Sequence, residues 1–525
     1  MSGTFSVQDA DGRIVHLPAD AGRTLAQAVY MSGLWDAPAL CSGLGRCGRC
    51  RMRFLSAPPP PDAEECRTLA ESEIAEGWRL GCRHPAVAGV RLVIPARAAA
   101  EIPHDIRAEG PELLLAVDLG TTSLQWAACD GEGEVAHGSG LNPQMGAGSE
   151  VMSRLSVARG AQGAASLRTL VLDRLRHVVA GLPGRVTHMA VAGNPAMTHI
   201  ILGAPVDGLC AAPYALHERG GREVRLAPDL PPTYILPQIA PFVGGDLSAG
   251  VAALIAGDAN VHFPFVLSDM GTNGEFVLAL SPDEFLAASV PLGPALEGIG
   301  LRFGTVAAPG AVVGFALAPD GLRAQCLGGG EADRALGITG TGYVSLLALL
   351  RSVGVLDASG AFAAGETPLA RRIVSRITRE GGEPALALPG GMHLAASDVE
   401  EVLKVKAAFN FALARLLAVA GLGAHELAAL YLAGAMGEHV STQALDVLGF
   451  LPPGLSARVR TVGNTSLEGA ALVLRSDRAR SFAEALPGRT RLVELAEDAG
   501  FGRHFLACMT FDYIPASMTR EGDSA

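Results

Sequence analysis

The sequence predicts a multidomain chain of mixed α/β and α+β class, in which a small N-terminal domain organised by cysteines precedes a larger domain built on a repeated strand–turn–strand unit. Three observations carry that expectation. The chain has 525 residues, more than one hydrophobic core usually supports. Cys41, Cys47, Cys50, Cys66 and Cys82 crowd its N-terminal part, whereas Cys129, Cys210, Cys326 and Cys508 are scattered. Two later segments repeat one another, Leu113-Leu-Leu-Ala-Val-Asp118-Leu-Gly120-Thr121-Thr122-Ser-Leu-Gln-Trp and Pro264-Phe-Val-Leu-Ser-Asp269-Met-Gly271-Thr272-Asn273-Gly-Glu-Phe-Val. Each runs apolar strand, D-x-G-T, then second strand, and an internal duplication is the simplest explanation.

Composition narrows the setting. Apolar residues make up 49% of the chain, yet Arg351 and Arg415 interrupt the longest apolar stretches, so no transmembrane helix and no membrane partner is expected. The N-terminus is polar, with Asp9 and Asp11 and no basic region leading into an apolar run, which predicts a cytoplasmic protein without a secretory signal. A net charge of -12 disfavours nucleic acid, because binding a phosphate backbone rests on clustered Lys and Arg. In a reducing compartment a tight group of cysteines binds metal or does redox chemistry rather than forming disulfides.

In the first domain, residues 4–8 and 13–17 predict a hairpin joined by the turn formers Asp9, Asp11 and Gly12. Thr24 can cap a helix whose apolar face is Leu25, Ala28 and Val29 and which Gly33 ends. Next comes Cys41-Ser-Gly-Leu-Gly-Arg-Cys47-Gly-Arg-Cys50. A loop that wraps a cluster needs unusual φ angles and must aim N–H groups at sulfurs, and the glycines at 43, 45 and 48 allow both. After a Pro-rich excursion at 58–61, Trp78-Arg-Leu-Gly-Cys82-Arg reads as a strand bringing a fourth thiolate, and residues 90–94 close the sheet. Cysteines at C-x5-C-x2-C with a distant fourth resemble the adrenodoxin-like branch of the [2Fe–2S] ferredoxins, one residue longer in the first gap than the plant type. That resemblance implies a β-grasp domain. Zinc also accepts four thiolates, but its frameworks usually pair two short C-x2-C knuckles. Cys66 competes for the fourth position, yet it lies among Glu64, Glu65 and Arg67, which reads as solvated surface. Cys41, Cys47, Cys50 and Cys82 are therefore the expected iron ligands.

Residues 97–111 turn to Ala, charge and Pro and read as a linker. In the D-x-G-T turns that follow, hydroxyl and N–H groups of Gly120, Thr121 and Thr122, and of Gly271, Thr272 and Asn273, can hold phosphate oxygens, while Asp118 and Asp269 can hold Mg2+ or its waters. Two such copies would clamp one nucleotide. Gly337-Ile-Thr-Gly340-Thr-Gly342 opens an apolar helix whose N–H groups could face phosphate. Residues 429–432 read as a buried strand running into Ala433-Gly434-Ala435-Met436-Gly437, a small-residue turn where an adenosine could lie against backbone. Phe242-Val-Gly244-Gly245-Asp246-Leu-Ser-Ala-Gly250 and Asn464-Thr465-Ser466-Leu467-Glu-Gly469 share the small-residue character that lets helices pack closely. Asp246 is a further candidate for the cleft, set against a plain helix N-cap. Lys404 and Lys406 read as a solvated helix face, and His84 and His199 as satisfied residues rather than cobalt ligands.

These signals, in this order, resemble the phosphate-1, connect-1, phosphate-2, adenosine and connect-2 motifs of the actin, sugar-kinase and chaperone-ATPase superfamily, which implies two RNase-H-like subdomains binding ATP. With the cluster domain in front, and with Asn142-Pro-Gln144, Glu150-Val-Met-Ser-Arg154, Gly193-Asn194-Pro-Ala-Met197-Thr-His199 and Val493-Glu-Leu-Ala-Glu-Asp498, the whole chain resembles the ATP-dependent reductive activators of corrinoid proteins. The resemblance implies an ATP-hydrolysing electron-transfer enzyme that returns a Co(II) corrinoid protein of a methyltransferase system to Co(I). Its cofactors would be a [2Fe–2S] cluster, ATP and Mg2+, fed by an upstream low-potential reductant. Homodimerisation is implied by the resemblance alone. Longer members carry a further segment before the first phosphate motif, and here Asp118 follows the cluster domain closely. The expected domains are residues 1–96, the linker 97–111, and 112–525, the last with subdomains at about 112–260 and 261–480 and a C-terminal segment 481–525. Three rival readings share the ATP fold. A binding module would use ATP only to switch its grip on a partner, as chaperones and actin do. A small-molecule kinase with a fused redox domain would need a substrate pocket, and none is legible. An activator of a radical dehydratase typically bridges its cluster between subunits, against the separate four-cysteine domain here.

Overall fold

The computed structural model describes residues 3–10, 12–32, 34, 43, 45, 48–95, 110–148, 150–257, 260–271, 273–298, 300–319, 321–329, 335–495 and 500–516. Cys41, Cys47, Thr272, most of the linker expected at 97–111 and residues 496–498 lie outside them. No helix of the described residues is long and apolar enough to cross a membrane. The chain divides into two compact units, Met1–Leu236 and Pro237–Ala525.

The first unit opens with a five-stranded sheet in the order Ile14–Pro18, Thr4–Gln8, Arg91–Val93, Arg51–Phe54, Trp78–Leu80. The first two strands form the expected hairpin, with Gln8 opposite Ile14. Arg91–Val93, from the segment expected to close the sheet, joins its two halves. It runs parallel to Thr4–Gln8 in the interior, where its alternation buries Leu92 with Phe5, Val7 and Met52. Helix Leu25–Met31 covers this core with Leu25 and Val29. Its start is a capping box, Thr24 accepting from the Gln27 N–H while the Gln27 side chain accepts from the Thr24 N–H. This is a β-grasp domain.

The same unit carries a six-stranded sheet in the order Glu134–Leu141, Ser123–Cys129, Glu112–Leu119, Arg185–Gly193, Thr233–Ile235, Arg222–Val224. The first three strands in chain order form an antiparallel meander, and Glu112–Leu119 then pairs in parallel with Arg185–Gly193. Leu113, Leu115, Val117 and Leu119 share one face by the two-residue strand period and pack with Leu167, Val171 and Leu175 of helix Ala161–Gly181. Asp118 falls on the opposite face.

The second unit repeats this plan. Its sheet runs Val459–Thr461, Ala429–Ala433, Phe265–Met270, Asn273–Ser281, Glu284–Pro291, Thr490–Leu492. Again three strands form an antiparallel meander and the first of them pairs in parallel with a later strand. Both sheet faces are covered, so Phe265 and Leu267 join one core and Val266 and Met270 another. That double burial explains the near-continuous apolar run before Asp269. The recurrence of one topology around both D-x-G-T turns is the structural counterpart of the repeat seen in the sequence.

Candidate functional site

Two of the four expected iron ligands are among the described residues, and one strand pairing brings them together. Cys50 immediately precedes Arg51–Phe54, and Cys82 lies in the 3-10 turn after Trp78–Leu80. Arg51 stands opposite Leu80, and the Gly81 N–H donates to the Cys50 carbonyl at 2.7 Å. Both cysteines are buried, while Cys66 is exposed. Gly43, Gly45 and Gly48 have φ of 89°, 78° and 63°, the left-handed region that glycine enters without strain. Neighbours hold this loop by its carbonyls: Thr68 Oγ1 donates to Gly45, Arg51 Nε to Gly48 and Arg83 to Gly43. Paired buried thiols beside such a loop suit thiolate ligation of iron.

Behind the loop sits a buried carboxylate that sequence reasoning placed on the surface. Glu65 is fully buried. It accepts from the N–H groups of Leu80 and Asp62 and faces His84 Nε2 at 2.8 Å. Burial alone would raise its pKa, but the His84 side chain and these N–H donors outweigh it and hold the carboxyl below its ordinary range. Glu65 follows Asp62 in a capping box, and that i, i+3 spacing was the available signal. His84 is thereby engaged inside the protein. His199, also fully buried, contacts the Pro195 carbonyl through Nδ1 at 2.7 Å and accepts from the N–H groups of His217 and Glu218.

At the first D-x-G-T turn, Asp118, next to last in its strand, lies opposite Gln125. Two asparagines from the motifs noted in the sequence tie the turn down. Asn142 donates to the Gly120 carbonyl at 2.7 Å, and Asn194 to Thr121 Oγ1 at 2.8 Å. Asn194 also caps helix Pro195–Leu202, while the Thr122 carbonyl accepts from the Asn142 N–H. A side chain at Gly120 would press on the Ser123 carbonyl at 2.9 Å.

At the second turn, Asp269 lies opposite Glu275 and beside Ala433 in the parallel neighbour. Gly271 donates to the Asn273 carbonyl, closing the hairpin. The expected turn at 433–437 is instead the start of a helix, Gly434–His439, and the Gly434 N–H donates to the Gly463 carbonyl. Gly434 has a φ of 83°, and a Cβ there would stand 2.6 Å from Asp269 Oδ1. Gly437, buried in that helix, lies against Leu432. Asp246 is not an N-cap: Gly244 caps helix Gly245–Ala256, and Asp246 lies in its first turn. This helix meets helix Thr465–Arg475 so closely that a Cβ at Gly469 would overlap the Ala249 carbonyl, which is why both segments are rich in small residues.

Glu275 is the residue missed at this turn. It is 7% exposed, and burial, then the carboxylates of Asp246 and Asp269, push its pKa well above the carboxylate range. The hairpin register would have found it, since the residue opposite each turn's aspartate is Gln125 in one copy and Glu275 in the other. Among the described residues no three acidic, histidine or cysteine side chains stand close enough together to hold a metal ion, so Glu275 belongs to the electrostatic surroundings of Asp269 rather than to a three-carboxylate site. At Gly340–Ser352, Gly340 and Gly342 are buried against the carbonyls of Leu296 and Val312, and the Gly342 N–H is taken by Thr339 Oγ1. Lys404 is solvated beside Glu400 and Glu401. Lys406 is not. It is fully buried and donates to Asn410 and to the carbonyls of Cys508 and Asp512.

Comparison with known proteins places these features in one family. Residues 9–87 match the 2Fe-2S iron-sulfur cluster binding domain, residues 113–255 the RACo middle region, and residues 264–519 the C-terminal domain of RACo, the ASKHA domain. The chain belongs to the RACo family. Among curated relatives, the corrinoid activation enzyme RamQ of Eubacterium limosum is 26% identical over 474 residues, covering 84% of this chain and 76% of RamQ. The [Co(II) methylated amine-specific corrinoid protein] reductase of Methanosarcina barkeri is 28% identical over 228 residues, 39% of this chain and 37% of that protein. A solved structure described as a reductive activator for corrinoid, iron-sulfur protein shares the fold with a TM-score of 0.67, at 21% identity, over 96% of this chain and 98% of its own.

Proposed function

We propose that this RACo-family protein is an ATP-dependent reductive activase, which returns a corrinoid protein of a methyltransferase system from Co(II) to Co(I). The observation that carries the reading is the union in one chain of a ferredoxin-type cradle, with Cys50 and Cys82 buried side by side, and two RNase-H-like sheets that each end in D-x-G-T. Cys41, Cys47, Cys50 and Cys82 would hold a [2Fe–2S] cluster, which supplies one electron at a time. Asp118 and Asp269 would position Mg2+ and the attacking water, with Asp246 a further candidate. Phosphate would be met by Gly120, Thr121, Thr122, Gly271, Thr272 and Asn273, and adenosine by Gly434 and Gly437, whereas the expected phosphate contact at Gly340 and Gly342 is not carried forward, because that helix start is buried and Thr339 Oγ1 already takes the Gly342 N–H. An upstream low-potential reductant would refill the cluster.

The test is ATP hydrolysis by the purified protein with its corrinoid partner. Asp118→Ala and Asp269→Ala are each expected to abolish hydrolysis while leaving the reduced-state EPR signal of the cluster intact. Hydrolysis that survives both substitutions would remove the nucleotide part of the reading.

A further inference from the structure

Within the first unit, the cluster domain and the sheet that follows it meet at one aromatic ring. Leu25, Ala26 and Val29 of helix Leu25–Met31 belong to the cluster-domain core, but Met31 packs against the core of the neighbouring sheet. Between them Tyr30 is 6% exposed and lies flat on the backbone of residue 146, where a Cβ on Gly146 would overlap its ring. Its hydroxyl donates to the Asn142 carbonyl at 3.2 Å. Asn142 is the residue whose side chain and N–H hold Gly120 and Thr122 at 2.7 and 2.8 Å. At the other end of the helix, the Leu25 N–H donates to the His84 carbonyl at 2.8 Å, just past Cys82. A single short helix thus joins the Cys82 turn to the first D-x-G-T loop, with a hydrogen bond at each end.

The platform under Tyr30 is stiff. Arg154 is fully buried, donating to the Gly148 carbonyl and to the sulfurs of Met145 and Met197. Gln144 donates its N–H to Asn142 Oδ1 and its side-chain amide to the Leu167 carbonyl. Close-packed interiors pass displacement on rather than absorbing it. Adding an electron to a cluster strengthens its pull on the N–H groups around its sulfurs, and phosphate does the same to the N–H groups of a Gly-Thr turn. Both pulls act on elements that this helix connects.

We propose that Tyr30 is a positioning residue through which the redox state of the cluster and nucleotide occupancy of the Gly120–Thr122 loop influence each other. The proposal rests on the reading of that loop as an ATP site. Linkage requires the influence to be reciprocal: whatever factor reduction applies to nucleotide affinity, nucleotide applies to the reduction equilibrium.

The experiment measures the dissociation constant of a non-hydrolysable ATP analogue with Mg2+, anaerobically, on the full-length holoprotein with its cluster oxidised and then reduced. The ratio of the two constants is expected to depart from one by about fivefold or more. The same coupling read as a nucleotide-induced shift in midpoint potential is about 40 mV for a one-electron couple. Tyr30→Phe, which removes only the hydroxyl, and Gly146→Ala, which displaces the ring, are each expected to keep the cluster spectrum and bring the ratio close to one. A wild-type ratio within about twofold of one, or a ratio preserved in both variants, overturns the coupling while leaving the ATP reading in place. An analogue that binds neither redox state defeats the ATP reading, and the coupling falls with it.

Discussion

Gly434→Ala separates the function of the second D-x-G-T turn from its stability. Two effects are superimposed at this position. The φ of 83° makes any side chain unfavourable by about 1 kcal/mol, and the new Cβ would stand 2.6 Å from Asp269 Oδ1. To reach an ordinary contact of 3.4 Å the carboxylate must recede by about 0.8 Å. A misplacement near 1 Å in a reacting constellation can lower rates by about 100-fold, so a 10- to 100-fold loss in kcat/KM for Mg-ATP hydrolysis is expected, roughly 1.4 to 2.7 kcal/mol of transition-state stabilisation. Gly421→Ala is the matched control. Gly421 ends helix Ala396–Ala420 with a φ of 70° and nothing within 4 Å of its missing Cβ. It therefore carries the backbone penalty without the contact. Steady-state hydrolysis and thermal unfolding, measured on both variants, should show similar stability losses and a large activity loss only in Gly434→Ala. Equal activities in the two variants would refute the placement of Asp269 at the reacting centre.

Three further outcomes are expected. Cys82→Ser should remove the [2Fe–2S] absorbance and reduced-state EPR, while Cys66→Ser keeps both; the reverse would reassign the fourth ligand, and zinc without iron would end the ferredoxin reading. Gly469→Ala should lower stability by about 1 to 3 kcal/mol by forcing apart the helices that meet at Ala249, detected by denaturant unfolding, with no loss expected if that packing has been misplaced. Burial pulls the Lys406 pKa down from 10.5 to about 8, against the opposing pull of Cys508 and Asp512. Between these values the unfolded chain keeps a proton that the folded one sheds, so this site's contribution to stability rises with pH across that window. Comparing unfolding at pH 8 and pH 10 in wild type and Lys406→Met should show that rise only in the wild type.

Much of this architecture is written locally. Strand, D-x-G-T and strand are contiguous in the sequence, so the duplicated hairpins around Asp118 and Asp269 are legible before the sheets that continue them. The small residues of 244–250 and 464–469 announce close packing because nothing larger fits where Gly469 meets Ala249. Cys82 could be preferred to Cys66 because a strand pattern precedes one and charged residues surround the other. What the sequence hid depends on partners remote in the chain. Lys406 looks solvated until the carbonyls of Cys508 and Asp512 fold over it. Glu65 looks exposed until Leu80 and His84 arrive. Glu275 acquires meaning only through its register with Asp269. Arg91–Val93 was legible as a strand of its sheet, but its interior place was not, because an interior parallel strand and an edge strand share one local pattern at this length.

The central claim is that the chain couples ATP to electron delivery onto cobalt. Plant-type [2Fe–2S] centres lie near -400 mV, and the resemblance implies a Co(II)/Co(I) couple lower still. Moving one electron against about 100 mV requires about 2.3 kcal/mol, which a nucleotide can supply only by binding the competent state more tightly than the other. The decisive measurement mixes the reduced protein with a Co(II) corrinoid protein and follows Co(I) absorbance. Appreciable Co(I) is predicted only when hydrolysable ATP and the intact cluster are present together. Equal Co(I) formation without nucleotide, or recovery of the terminal phosphate of ATP on a small molecule, would contradict it.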